Sequence, residues 1–141
     1  MVEIINNHPH LRVNRRDLAR LIRNSAKAKK KSIGCITIEL MTDKKIAAIH
    51  RKFMNDPTST DVITFDLSRS VELSGDIVIS LDTANRQATE YGVSLRQETG
   101  RLAVHGLLHL CGLTDTTPAK RKLMHENEDI LLMEEAWLTK E

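Results

Sequence analysis

The sequence predicts an α+β fold: a single domain with a mixed sheet of about four strands packed against helices and one apolar helix in the core. Three observations lead there. Short runs that alternate apolar and polar, such as residues 34–40 (Gly-Cys-Ile-Thr-Ile-Glu-Leu), interleave with longer segments of helical period. The stretch Leu102, Ala103, Val104, Leu107, Leu108, Leu110 is apolar on nearly all sides, and such a helix is buried. Finally, 141 residues with 40% hydrophobic and 28% charged content suit one globular domain with its own core.

The elements follow in order. Ile4 and Ile5 start a short strand. Residues 14–28 read as a helix, with Leu18, Leu21 and Ile22 facing inward. Residues 34–40 form a strand, and residues 42–54 a helix with Thr42 as N-cap and Ile46, Ala47 and Ile49 partly inward. The stretch 55–60 is rich in turn formers. Residues 61–67 and 75–81 make two strands around a polar loop. A helix over 83–91 closes at Gly92. Ser94 and Gln97 form a capping box that starts the apolar helix, and Thr117 with Pro118 starts the last one.

Within the apolar helix the chain reads His105-Gly-Leu-Leu-His109-Leu-Cys-Gly112-Leu-Thr-Asp115. Residues four apart share a helix face, so the two imidazoles can reach one ion. Gly112 can end the helix in a conformation of positive φ and turn the chain back, bringing Asp115 to the same ion. Two nitrogens and one oxygen leave a fourth tetrahedral position open, as in a catalytic zinc centre. Buried imidazoles without partners would cost free energy, and a metal would satisfy both. Zinc proteases place a Glu after the first His as general base; here that position is Gly106, which cannot take a proton.

The net charge of +2 conceals an asymmetry: residues 1–60 hold 13 Lys/Arg against 5 Asp/Glu, and the remainder 8 against 14. Arg16, Arg20, Arg23 and Lys27 make one stripe on the first helix, able to neutralise phosphates without reading sequence. The aromatics Phe53, Phe65, Tyr91 and Trp137 are too few for a base-stacking platform. Any nucleic-acid contact should therefore rest on phosphates, and the alternative is a solvated helix face.

These motifs resemble the YbeY family of zinc-dependent, single-strand-specific endoribonucleases of ribosomal RNA maturation. The family pattern H-G-x-L-H-L-x-G-Y-D-H is matched at His105-Gly106, Leu108-His109-Leu110 and Gly112. Thr60-Asp-Val-Ile-Thr-Phe65, Ser74-Gly-Asp-Ile-Val-Ile-Ser80, and Met124 with Glu128 match further segments, in family order. The resemblance implies a zincin-like domain over residues 1–141, with one Zn2+ per chain held by His105, His109 and Asp115. It implies a ribosomal RNA precursor as substrate and the small ribosomal subunit as partner, with roles in rRNA maturation and ribosome quality control.

Two departures stand out. Asp115 occupies the place of the family's usual third His; Asp is also a competent zinc ligand. Met54 stands where the family has an Arg; Arg51 or Lys52 nearby is then the candidate charge stabiliser. The competing reading is a non-catalytic ribosome-assembly protein with a structural zinc.

Other residues carry structural expectations. His125 reads as a surface histidine, and His8 and His10, beside Pro9, as solvated. His50 replaces a family Asn; Asp61 and Asp76 lie at strand starts, where carboxylates cap turns. Glu98 lies two turns from His105, too far to share its ion. Cys35 and Cys111 read as buried free thiols suited to a reducing cytoplasm. Neither a signal peptide nor a membrane span is expected.

Overall fold

Strand alternation and helix capping account for most of the architecture. The computed structural model describes residues 1–55 and 60–133. Most of the predicted turn at 55–60, and Trp137, lie outside the described residues. The elements are β1 (Val2–Asn6), α1 (Arg15–Ala28), β2 (Ile33–Met41), α2 (Asp43–Met54), β3 (Val62–Asp66), β4 (Leu73–Ser80), α3 (Leu81–Tyr91), α4 (Leu95–Leu110) and α5 (Pro118–Met133).

The four strands form one mixed sheet in the order β1-β2-β4-β3. β1, β2 and β4 run parallel, while β3 runs antiparallel to β4 along the other edge. Alternation along each strand sends side chains to opposite faces. Ile36, Ile38, Leu40, Ile77 and Ile79 join Leu18, Leu21 and Ile22 of α1 and Leu102, Val104, Leu107 and Leu108 of α4 in the main core. A second, smaller cluster on the other side of the sheet joins Met41, Ile63 and Val78 to Ile46 of α2.

The predicted N-caps Thr42 and Ser94 form, and Asn14 and Ser80 add two that were not predicted. Asn14, Thr42, Ser80 and Ser94 accept from backbone N–H groups at the starts of α1 to α4. The Ser94–Gln97 capping box is reciprocal, and Gly92 closes α3 in the left-handed conformation. Helix α3 starts two residues earlier than its pattern suggests, because Leu81 is buried and Ser80 supplies the cap.

Two expectations fail on tertiary grounds. Cys35 is exposed rather than buried. It alternates with the core residue Ile36, and the small cluster under α2 does not extend to it. His8 is buried rather than solvated, 6% exposed. Its Nε2 lies 2.7 Å from Asp82 Oδ1, and its Nδ1 accepts from the backbone N–H groups of His10 (3.1 Å) and Leu11 (3.0 Å). The loop after β1 is thereby fastened to the start of α3. His10 is exposed, as expected.

Candidate metal centre

Helix α4 runs through the core, and Gly106 lets it come close to the sheet. A Cβ at that position would lie 2.7 Å from Ile77 Cγ2 of β4, so the missing side chain is a packing requirement. The same contact leaves no space for the base that a zinc protease carries there. The helix ends as the motif suggests. Gly112 has φ +100°, its N–H donates to His109 O at 2.9 Å, and Leu113 N–H donates to Leu108 O at 3.0 Å, a Schellman closure. The chain then turns back and brings Asp115 over the histidines.

His105, His109 and Asp115 form a candidate metal-binding triad, their ligand atoms all within 4.8 Å of one another. The two Nε2 atoms are 3.0 Å apart. Asp115 Oδ2 is 3.5 Å from His105 Nε2, and Oδ1 is 3.8 Å from His109 Nε2. Metal–ligand bonds of about 2.0–2.1 Å separate tetrahedral ligand atoms by roughly 3.3–3.4 Å, so these spacings suit one small ion. Both imidazoles are partly buried, while the Asp115 side chain is 40% exposed and leaves the centre open to one side.

The triad lies in a cleft of about 430 Å³ whose other lining residues include His50, Met54, Thr60, Asp61, Thr64 and Asp66. No Lys or Arg is among its described lining residues. His50 and Met54 are one turn apart on α2 and share the face turned to the cleft. Arg51 and Lys52 are rotated off that face, exposed, and do not line the cleft. Lys52 Nζ instead lies 5.4 Å from the Phe53 ring centroid.

The basic stripe is elsewhere. Arg16 borders a groove of about 730 Å³ with Met1 to Ile4 of the β1 edge, and Arg23 and Lys27 line a second of about 440 Å³ with Lys30 and Lys31. The cleft borders β3, at the opposite edge of the sheet, and shares no lining residue with either groove. Arg20 pairs with Asp17 at 3.4 Å.

A further residue, Glu128 of α5, joins the site from the protein side. It is 1% exposed, and its Oε2 lies 2.7 Å from His105 Nδ1. Spacing gave no sign of this contact, because 23 residues and a turn separate the pair. The visible signal was an acidic residue in register with two apolar ones, Met124 and Leu131, which are both buried. Burial draws the His105 pKa down, but the hydrogen bond and charge of Glu128, with Asp115 and Asp61, more than offset it, and the net shift is upward. Burial also draws His109 down, and the charge of His105 adds to that. The two imidazoles are thus held apart in basicity. His125 is exposed, as expected. Asp61 accepts from Gln87 Nε2 at 3.3 Å and also borders the cleft. Asp76 is not among the residues that line the cleft.

Fold and site define a class: an α+β protein whose core helix presents two histidines, beside a carboxylate, to an open cleft. The family model described as Endoribonuclease YbeY matches residues 3–135. An endoribonuclease YbeY of Bacteroides thetaiotaomicron is 37% identical over 117 residues, covering 83% of this chain and 85% of that one. One of Parabacteroides distasonis is 38% identical over 99 residues, or 70% of each chain. The solution structure of TM1509 from Thermotoga maritima, at 20% identity, matches the fold with a TM-score of 0.64 over 95% of this chain and 88% of that one. This chain belongs to the YbeY family.

Proposed function

We propose that this protein is a zinc-dependent, single-strand-specific endoribonuclease of ribosomal RNA maturation and ribosome quality control. It would act in the cytoplasm, on a ribosomal RNA precursor, with the small ribosomal subunit as partner. Membership of a family whose relatives are named endoribonucleases supports the reaction class. Among the described residues, no helix is long and apolar enough to cross a membrane. The observation that carries the reading is the convergence of His105, His109 and Asp115 at one side of an open cleft.

Two imidazole nitrogens and a carboxylate oxygen are a donor set that suits zinc, one ion per chain. When bound, zinc supplies Lewis acidity toward a phosphoryl oxygen and lowers the pKa of a water. The chain's own residues arrange the rest. Glu128 Oε2 lies 2.7 Å from His105 Nδ1, so a ring that donates there would keep its Nε2 lone pair free to ligate. Thr60 and Thr64 carry hydroxyl donors along the cleft wall, and His50 borders it. With no Lys or Arg among the described lining residues, phosphate charge in the cleft must be met by the ion and by such donors. Arg16, Arg20, Arg23 and Lys27 would hold RNA backbone on the far side, by phosphate contact. Arg51 and Lys52, on the exposed side of α2, could meet only RNA that extends beyond the cleft.

The test is cleavage of a single-stranded RNA by protein stripped of metal and then reloaded with zinc. Activity should follow the metal, vanish in folded His109→Ala, and spare a duplex and casein. Met54 in the cleft favours the second reading, a binding protein with structural zinc. That reading gains if zinc binds stoichiometrically and RNA binds but stays intact.

A further inference from the structure

We infer that Glu128, clamped by Arg101, is a positioning residue for His105, so that docking of α5 and metal occupancy reinforce one another. The inference rests on the metal reading above and concerns what orients the ligand. A buried carboxylate needs partners, and Glu128 has three. Its Oε2 takes the His105 Nδ1 contact at 2.7 Å. Its Oε1 accepts from Arg101 Nη1 at 3.0 Å and lies 3.5 Å from His125 Nδ1. Arg101 extends its other arm, Nη2, to Asp129 at 2.9 Å. One guanidinium on α4 therefore grips two neighbouring carboxylates of α5.

The chemistry selects a tautomer. Glu128 Oε1 accepts from Arg101, and with Oε2 accepting on its other side, His105 donates from Nδ1. Its Nε2, the atom nearest Asp115 and His109, is then left with a lone pair. The other tautomer would put a proton on the ligand atom and turn a lone pair toward the carboxylate. A carboxylate behind a ligating histidine fixes the ring and raises its basicity. Since Glu128 sits between the buried Met124 and Leu131, undocking α5 would release His105. Reciprocity then requires that an ion bound through His105 also hold α5 down.

Three measurements test this. Zinc affinity, by competition with a chromophoric chelator, should fall about 10–100-fold in Glu128→Ala, with Glu128→Gln, which keeps an oxygen acceptor, in between. Nitrogen-15 NMR of the zinc-free native protein should place the His105 proton on Nδ1. Hydrogen exchange of the α5 amides should slow on adding zinc to the native protein and not in Glu128→Ala. A folded Glu128→Ala with native zinc affinity would overturn the inference, and so would a His105 proton on Nε2. If Glu128→Ala does not fold, the tautomer and the α5 exchange of the native protein decide. If the native protein binds no zinc, the functional reading fails, and the tautomer alone decides on Glu128.

Discussion

Helices α1 and α4 both present nitrogen-bearing side chains, yet they hold them in opposite ways. On α4, His105 is partly buried, bonded to Glu128, 3.0 Å from His109, and set by a helix that lies against Ile77 through Gly106. On α1, Arg16, Arg20, Arg23 and Lys27 are all exposed, and the packing belongs to the opposite face of the helix. The first arrangement restricts each group to one task before any ligand arrives. The second sets its cations in solvent, where phosphate can reach them, with Arg20 beside Asp17 at 3.4 Å. Precision on α4 thus comes from packing and second partners, and adaptability on α1 from solvent exposure.

The largest effect should come from breaking the α4 centre itself. His109→Ala removes a donor outright and should weaken zinc by more than about 100-fold, the upper end for loss of an outer partner. Asp115→Ala should also weaken it, and Asp115→His should restore it, since imidazole suits the ion as well. Chelator competition reads all three. Equal affinity in native protein and Asp115→Ala would place Asp115 outside the ligand set.

A second break concerns the core behind the centre. Glu98 is 3% exposed, and burial pushes its pKa up from 4.5 to about 7. The folded chain then holds a proton that the unfolded chain releases. That stability is fully present below about pH 4.5 and is lost as the pH rises through about 7. Glu98→Gln cannot ionise. Denaturant titrations should show native stability falling relative to this variant by on the order of 3 kcal/mol between pH 4.5 and 8. A constant difference across that range would show that Glu98 does not change its charge there.

Gly106→Ala sharpens the comparison further. The added methyl meets Ile77 at 2.7 Å and should cost about 1–3 kcal/mol in denaturant unfolding, as overpacking does. Changing Arg20 and Arg23 together to Gln should cost under about 0.5 kcal/mol, as exposed changes usually do. It should instead flatten the slope of log RNA affinity against log salt by roughly 1.4, if each residue neutralises one phosphate of a single strand. Zinc content should stay the same. An unchanged salt slope would make the stripe a solvated face only.

What could be read from the sequence was what local chemistry determines. The i,i+4 histidines, the Ser94–Gln97 box, the closures at Gly92 and Gly112 and the strand alternation depend on neighbours a few residues away, and all formed. What escaped depends on contacts between distant elements. Glu128 reaches His105 only because α5 folds back along α4. His8 is buried only because its loop meets Asp82 of α3. Cys35 is exposed because α2 packs over another part of the sheet. That His50 and Met54 of α2, rather than the candidates Arg51 or Lys52, line the cleft depended on how α2 is rotated against β3 and β4, which its own period cannot state.

The central claim is that one ion at the α4 centre enables RNA cleavage. Its most direct test is a zinc titration of metal-free protein, with zinc binding and single-strand cleavage followed in the same samples. The account predicts that cleavage rises with bound zinc and levels off at one ion per chain, and that His109→Ala shows neither. Cleavage that proceeds at full rate without zinc, or that stays absent at one bound ion per chain, would contradict it.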